Sequence, residues 1–213
     1  MISIQSFTFN PFSENTYILY DESGECIIID PGCYEAFEKS ELLDFVVQKK
    51  LKPVRLINTH CHIDHIFGNK FSAETFGLKL EANKEELFNL KHSEQAAKLY
   101  GIQGYEPSPQ PIVFLNEGDK ISFGNSELEI LFVPGHSPGH LAFVCKKQKF
   151  IIGGDVLFYG SIGRTDFPGC SHEALIKSIK TKFFLLEDDF RVLSGHGPET
   201  NIGFEKKNNP FLQ

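Results

Sequence analysis

Short apolar runs and alternating apolar and polar residues divide the chain into strand-length segments. Runs rich in Ile, Val, Phe and Tyr are typical of strands, and Pro31-Gly32 ends the third run with a strong turn signal. The strands predicted in the first half cover residues 2–9, 15–21, 25–30 and the stretch from Pro53 to just before His60. From residue 113 onward the strand-like runs are VFL, DKISF, LEILFVP, HLAFVC, KFIIGG and DFRVLSG.

Segments with a helical period lie between these runs. In FEKSELLDFVVQKK, apolar residues recur on one face with charged residues opposite, which indicates a surface helix. The predicted helices cover residues 37–50, 65–76, 83–100 and 172–182. GIQGYEPSPQP, residues 101–111, is rich in Gly and Pro and too long for a simple connection, so we expect a loop that walls a site. The polar stretch 197–213 is predicted to be irregular.

Strands dominate both halves of the chain, and each half adds surface helices. We find no repeat or linker-like segment, so we predict a single domain over residues 1–213. Two sheets packed face to face with helices outside would bury the apolar runs. The predicted fold class is therefore α/β, with four layers in the order αββα.

Composition and charge narrow the classes of partner. The apolar fraction of 41% and the charged fraction of 23% are ordinary for a globular protein. A net charge of −7 disfavours a nucleic-acid partner, because phosphate binding needs a basic surface. No apolar run is long enough to span a membrane, and the first residues lack the features of a signal peptide. Five cysteines without a CxxC spacing favour reduced thiols, so we predict a cytoplasmic protein; the oligomeric state is left open.

The candidate chemistry is concentrated in NTHCHIDHIFGN, residues 58–69. Three of the eight histidines of the chain and one aspartate fall within six residues: His60, His62, Asp64 and His65. Further residues of ligand type follow apolar runs, often beside Gly or Pro: His136, His140, Asp155 and His196. Loop residues presented by a rigid scaffold at one rim are the usual way to build a metal or catalytic site.

The residue types indicate zinc or iron. Neutral imidazoles and carboxylates suit these metals, whereas Mg²⁺ and Ca²⁺ prefer oxygen ligands. One predicted site, of one or two per chain, consists of His60, His62 and His136. The other consists of Asp64, His65 and His196, with Asp155 bridging the two ions. Two ions about 3.5 Å apart would hold a bridging hydroxide that attacks a carbonyl carbon. His140 is predicted either to support the ligands or to lie in the core, rather than to bind metal.

The HxHxDH motif at residues 60–65, together with His136, Asp155 and His196, resembles the metallo-β-lactamase fold superfamily. GRTDFPG at 163–169 and GHGPETNIGFEKKNNPF at 195–211 are most similar to the short bacterial glyoxalase II-like hydrolases. This resemblance implies the fold and the two metal sites given above. It also implies hydrolysis of a small thioester such as S-D-lactoylglutathione, with Asp64 orienting the nucleophile and taking its proton.

Substrate contacts follow from the same resemblance. Arg164 lies nine residues beyond Asp155, where these hydrolases place a basic residue that binds the glutathione carboxylate. Asp166 stands where they carry an aromatic residue, so a structural ion pair with Arg164 is the alternative. Tyr105 and Phe167 are further candidates for lining the pocket.

Two other functions remain open on the sequence. GRTDF also resembles persulfide dioxygenases, which implies a single iron held by His60, His136 and Asp155. A metal-stabilised binding protein without turnover is the third possibility, although structural zinc sites are usually closed by four protein ligands.

Overall fold

The computed structural model describes residues 1–213, which form two compact units. The N-terminal unit contains residues 1–115 and 122–126, and the C-terminal unit contains residues 116–121 and 127–213. Each unit has its own apolar core, described below with the elements that enclose it. The prediction of a single domain is not tested by this division and stays a prediction.

The first sheet has six strands in chain order. They are β1 (Ser3–Phe9), β2 (Glu14–Tyr20), β3 (Glu25–Ile29), β4 (Lys52–Ile57), β5 (Leu80–Ala82) and β6 (Val113–Phe114). The first three strands pair antiparallel, and β3 to β6 pair in parallel. Parallel neighbours need a crossover connection, which the three helices of this unit supply: α1 (Ala36–Gln48), α2 (Asn69–Phe76) and α3 (Leu87–Leu99). The residues that follow β3 and β4 therefore emerge at the same edge of the sheet.

Packing of this sheet against α1 forms the main core of the N-terminal unit. Ile18, Ile28 and Leu56 from the sheet belong to the same apolar cluster as Leu42 and Val46 from the helix, and all five are buried. Burial of this apolar surface stabilises the unit by roughly 25 cal/mol per Å².

The buried carboxylate of Glu38 fixes the start of α1. It accepts hydrogen bonds from the backbone N–H groups of Asn10, Tyr34 and Glu35, at 2.6, 2.7 and 2.9 Å. The first turn of the helix is thereby tied to the turn between β1 and β2.

The second sheet also has six strands. They are β7 (Lys120–Phe123), β8 (Ser126–Phe132), β9 (Leu141–Cys145), β10 (Phe150–Gly154), β13 (Arg191–Ser194) and β14 (Thr200–Asn201), in the spatial order β14-β13-β10-β9-β8-β7. A separate pair is formed by β11 (Leu157–Phe158) and β12 (Ser161–Ile162). The helices of this half are α4 (His172–Thr181) and α5 (Ile202–Asn208). Because β10 and β13 are parallel, the residues that follow them emerge at the same edge.

The core of the C-terminal unit lies between this sheet and its two helices. Ile151 and Val192 of the sheet cluster with Leu175 and Ile179 of α4 and with Ile202 of α5, and all are buried. The contact with α5 shows that the end of the chain belongs to the packed structure.

The predicted elements are largely present, with one correction. The helices predicted over 37–50, 83–100 and 172–182 correspond to α1, α3 and α4, and a short 3-10 turn at Ile63–His65 precedes α2 in the region predicted as 65–76. The prediction that residues 197–213 are irregular is wrong, because β14 and α5 lie there. Asn201 begins α5 by accepting a hydrogen bond from the backbone N–H of Phe204 at 2.8 Å. None of the helices combines the length and apolar character needed to cross a bilayer.

Candidate metal centre

The histidines that follow β4 lie together. The ring centroids of His60 and His62 are 4.7 Å apart, and those of His60 and His65 are 4.2 Å apart. Asp64 Oδ2 lies 3.6 Å from His65 Nε2. His60 and His65 are fully buried, whereas His62 and Asp64 are partly exposed. The N-terminal unit therefore presents three imidazoles and one carboxylate close together.

Asp30, directly after β3, holds this loop. Its carboxylate accepts hydrogen bonds from the backbone N–H of Thr59 at 2.7 Å, from Thr59 Oγ1 at 2.6 Å and from Asn58 Nδ2 at 3.1 Å. His65 Nδ1 lies 3.2 Å from Asp30 Oδ2. Asp30, His60 and His65 have ligand-type atoms within 4.8 Å of one another. Since four donors already surround the Asp30 carboxylate, we interpret it as a support for the histidines.

The same contacts fix the tautomers of His60 and His65. Thr59 has one hydroxyl hydrogen, and it is directed to Asp30, so Thr59 Oγ1 accepts from His60 Nδ1 at 3.1 Å. His65 Nδ1 donates to Asp30 in the same way. Both rings are thus protonated at Nδ1, and Nε2 is the nitrogen suited to a metal. Metal-ligating histidines usually have this arrangement, in which a partner on the other ring nitrogen orients the ring.

A second buried carboxyl group, that of Glu14, lies 3.8 Å from His65 Nδ1. Burial raises the pKa of Glu14 well above its usual range. Thr16 Oγ1 lies 2.8 Å from the Asp30 carbonyl oxygen, 2.9 Å from Glu14 Oε2 and 2.8 Å from the backbone N–H of Gly32. Thr16 thereby links the Glu14 carboxyl group to the backbone that follows β3.

Glu86 anchors the loop from the other side. Its fully buried carboxylate accepts hydrogen bonds from the backbone N–H of Cys61 at 2.7 Å and from Asn89 Nδ2 at 2.8 Å. The Cys61 side chain packs with Ile66 and Leu90 in an apolar cluster. Burial raises the pKa of the Cys61 thiol well above its usual range, so this cysteine is not suited to be a thiolate ligand.

The candidate ligand residues of the C-terminal unit lie around one aspartate. Asp155 Oδ2 lies 3.4 Å from His136 Nε2 and 3.5 Å from His196 Nε2. Asp155 follows β10 and His196 follows β13, the two parallel strands whose ends share an edge. This unit therefore presents two imidazoles around one carboxylate.

Two glycines allow this convergence. A side chain at Gly135, which has φ +142°, would place a Cβ 2.3 Å from the backbone nitrogen of Leu175, so only glycine lets the turn before His136 pack against α4. A Cβ at Gly163 would lie 1.9 Å from the carbonyl oxygen of Asp155 and 3.1 Å from His136 Cβ. The loop after β12 therefore passes directly over the residues that carry the site.

Backbone groups orient the rings of this unit. His136 Nδ1 donates to the carbonyl oxygen of Arg164 at 2.8 Å, which directs Nε2 towards Asp155. His140 Nε2 accepts a hydrogen bond from the backbone N–H of Asp155 at 3.0 Å. His140 thus contacts the backbone of Asp155, which is the first of the two roles that the sequence left open for it.

The three predicted substrate contacts have different surroundings. Arg164 forms a bidentate ion pair with Asp166 and stacks over the Phe167 ring, with its guanidinium carbon 4.0 Å from the ring centroid. The hydrogen bonds from Arg164 lower the pKa of Asp166 to about 2. Tyr105, in the N-terminal unit, packs against Phe67 with ring centroids 6.0 Å apart. A substrate role for these residues stays a prediction.

The loop at 101–111 is fastened to the helices of the N-terminal unit. Glu106 accepts hydrogen bonds from Lys39 of α1 at 3.1 Å and from Lys70 of α2 at 2.9 Å. Asn69 Nδ2 donates to both Ser108 Oγ and Asn58 Oδ1 at 2.8 Å. The loop is thereby linked to the residues that support His65.

Sequence comparison identifies the family of this chain. A profile of the family described as the metallo-beta-lactamase superfamily matches residues 9–196. The chain belongs to that superfamily. It is 34% identical over 212 residues to hydroxyacylglutathione hydrolase GloC of Haemophilus influenzae, an alignment that covers 99% of this chain and 98% of the relative.

Solved structures agree with this assignment. BLEG-1 B3 metallo-beta-lactamase is 31% identical with a TM-score of 0.90, and the match covers 99% of this chain and 100% of that one. TTHA1623, solved in a di-iron-bound form, is 35% identical with a TM-score of 0.87, and the match covers 98% of this chain and 100% of that one. The predicted family and α/β metallo-β-lactamase fold are confirmed, and the chain is a metallo-hydrolase of the superfamily.

The residues present fit the metal that this superfamily implies. Imidazoles and carboxylates make up the whole donor set, which suits zinc or iron. The Nδ1 atoms of His60, His65 and His136 each have an oxygen partner that leaves Nε2 for an ion.

Three supporting residues were missed by reasoning from the sequence alone. Asp30, Thr59 and Glu86 hold the loop that carries His60 to His65. None of the three is one of the His or Asp residues of the HxHxDH motif. Asp30 had a usable signal, since it follows an apolar run directly before Pro31-Gly32, as a site residue at a strand end would. The sequence around Glu86 contains no comparable signal, because the contact of Glu86 with Cys61 joins residues 25 positions apart.

Proposed function

We propose that this metallo-hydrolase is a glyoxalase II-like thioesterase that hydrolyses a small thioester such as S-D-lactoylglutathione. The observation that carries the proposal is the pair of ligand groups, three imidazoles with Asp64 in one unit and two imidazoles around Asp155 in the other. The similarity to hydroxyacylglutathione hydrolase GloC, which extends over almost the whole length of both chains, supports this choice of substrate.

We propose the following ligand assignment for zinc, one or two ions per chain, with iron as the alternative. One ion would be held by His60, His62 and His136. The other would be held by Asp64, His65 and His196, and Asp155 would bridge the two. The di-iron form of TTHA1623 supports a place for iron in a related chain. The match to the family profile runs from residue 9 to residue 196, which supports a single domain over residues 1–213.

Ions bound in this way would polarise the thioester carbonyl group and lower the pKa of a coordinated water towards about 7. Asp64 is the residue that we propose to orient the attacking water and take its proton. The water oxygen adds to the carbonyl carbon, the carbon–sulfur bond breaks, and the proton passes to the departing thiolate. The products are then a carboxylic acid and a thiol, and the atoms balance.

The substrate contacts are proposals of the same kind. Arg164 would bind a carboxylate of the thiol part, since its planar guanidinium matches a carboxylate. Tyr105 and Phe167 would line the pocket. The proposed partner is a small-molecule thioester such as a glutathione conjugate. Neither nucleic acid nor membrane is proposed as a partner. A cytoplasmic location stays a prediction.

Elemental analysis of the purified protein, paired with an assay of S-D-lactoylglutathione hydrolysis, tests the proposal. We expect one or two zinc or iron ions per chain together with turnover. Asp64→Asn should abolish turnover while the protein stays folded, and Asp44→Asn, on the exposed face of α1, should leave turnover unchanged.

Full activity of Asp64→Asn would overturn the assigned role of Asp64. One iron per chain, no thioester cleavage and oxygen uptake with glutathione persulfide would replace the hydrolase by a dioxygenase. Bound metal without either activity would leave only the family assignment.

A further inference from the structure

Arg164 and Asp166 form a bidentate ion pair, which is the geometry in which Arg164 would also bind a substrate carboxylate. Arg164 Nε lies 2.7 Å from Asp166 Oδ1, and Arg164 Nη2 lies 2.7 Å from Asp166 Oδ2. Two parallel N–H···O bonds are the strongest way in which a guanidinium group binds a carboxylate. This edge of Arg164 is therefore occupied by a group of the same chain.

The pair stands beside a residue of the metal centre. The backbone carbonyl oxygen of Arg164 accepts the hydrogen bond from His136 Nδ1 at 2.8 Å. An anionic substrate bound near His136 would thus meet both a cation and a carboxylate.

The pair is open to exchange with solutes. The exposed fractions of the side chains are 56% for Arg164 and 64% for Asp166. The guanidinium group rests on the Phe167 ring, so it keeps a support when Asp166 leaves. Exposed ion pairs are weak, so a substrate carboxylate is able to displace Asp166 at a small cost.

We propose that Asp166 is a specificity-determining residue that competes with the anionic part of the substrate for Arg164. Its effect is to weaken binding of thioesters whose thiol part carries carboxylates, and to leave thioesters of neutral thiols unaffected. The inference rests on the proposed function, since it assumes that substrate binds at the side of the centre where Arg164 lies. No bond is made or broken in this exchange, so the effect falls on KM and not on kcat.

The variant Asp166→Asn tests the competition, because it keeps the size of the side chain and removes its charge. For S-D-lactoylglutathione we expect a KM lower by about two- to fivefold, the range set by the weakness of exposed ion pairs, at unchanged kcat. For S-D-lactoyl-N-acetylcysteamine, whose thiol part is neutral, KM should not change.

Asp189→Asn is the matched control. Asp189 has the same exposed fraction, 64%, and pairs with Lys149 at 2.9 Å in the C-terminal unit. Asp189→Asn removes the same charge from the protein and should leave KM unchanged for both thioesters. A second control places Asp166→Asn in an Arg164→Gln background, where the effect on KM should disappear because Asp166 has no guanidinium group to occupy.

Three results would overturn the inference: an unchanged KM for the glutathione thioester, an equal change for both thioesters, or an effect that persists in the Arg164→Gln background. Calorimetric titration of the metal-loaded protein with glutathione separates this inference from the proposed function. Tighter binding of glutathione by Asp166→Asn supports the competition even if neither thioester is cleaved. The inference is overturned if the natural protein and Asp166→Asn bind glutathione equally tightly, or if neither binds it.

Discussion

His140 Nε2 accepts a hydrogen bond from the backbone N–H of Asp155 at 3.0 Å, and both residues are buried. A backbone N–H group can only donate, so Nε2 of this ring carries no hydrogen and Nδ1 is protonated. The imidazole thereby fixes the backbone at the end of β10, where the Asp155 carboxylate meets His136 and His196. His140 acts on the site through the position of Asp155.

We expect His140→Leu to lower the free energy of unfolding by about 1–3 kcal/mol, because the buried N–H of Asp155 loses its acceptor. Urea unfolding measures this change. His172→Leu, an exposed histidine at the start of α4, is the control and should be close to neutral. Equal stability of the two variants would show that the hydrogen bond to Asp155 is not needed.

We expect Asp30→Asn to weaken zinc binding by about 10- to 100-fold, the usual effect of losing a partner that orients a metal-ligating histidine. The amide would offer only one oxygen to the donors on Thr59, Asn58 and His65. Competition with a chromophoric chelator measures the affinity without an activity assay. Asp44→Asn serves as the control, and an Asp30→Asn protein that binds zinc as tightly as the natural one would contradict the supporting role.

Asp21 gives the protein a stability that depends on pH. Burial by itself raises the pKa of Asp21, but hydrogen bonds from Ser23, Ser126 and the backbone of Asn125 outweigh it and hold the pKa at about 2, below the ordinary value of 3.8. A lowered pKa in the folded state means that the contribution is complete above the ordinary pKa and is lost as pH falls towards 2.

The difference in free energy of unfolding between the natural protein and Asp21→Asn should therefore shrink as pH falls from about 5 to about 2. Urea unfolding at a series of pH values measures it. Comparison with Asp44→Asn removes effects of net charge. A difference that stays constant across this range would contradict the assignment.

The end of the chain should be required for stability. Asn209 is fully buried, and its Nδ2 donates to Glu205 Oε2 at 2.7 Å and to the carbonyl oxygen of Ser161 at 3.0 Å. Asn209→Ala removes both of these hydrogen bonds from a buried position, so we expect a loss of about 1–3 kcal/mol in the free energy of unfolding.

Asn208→Ala is the control for this change. Asn208 is exposed and donates to the carbonyl oxygen of Phe204 within the same helix, at 2.9 Å. Thermal unfolding of the two variants should separate them clearly. Similar midpoints would mean that α5 contributes little through Asn209.

Sequence patterns were sufficient to predict the elements whose buried side chains are apolar. The runs at β3, β9 and β10 are nearly continuous in apolar residues and glycine, and these strands are almost wholly buried. The helix α5 was missed because its buried positions include Gly203 and Glu205, which give no apolar period. Short strands such as β11 were missed for a related reason, since two residues are too few to show an alternation.

The sequence by itself determined which types of residue are available as metal ligands. The His and Asp residues of HxHxDH lie within one short segment, so their spacing does not depend on the fold. The sequence also left two roles open for Arg164, substrate binding and an ion pair with Asp166. The ion pair is present in the structure. Only the tertiary structure decided which ring nitrogen is left available for a metal, through contacts such as that of His65 Nδ1 with Asp30, 35 residues away in the chain. It decided the roles of Glu86 and His140 in the same way. The physical reason is that a hydrogen bond between distant residues depends on where strands and helices bring them, and no local pattern records that position.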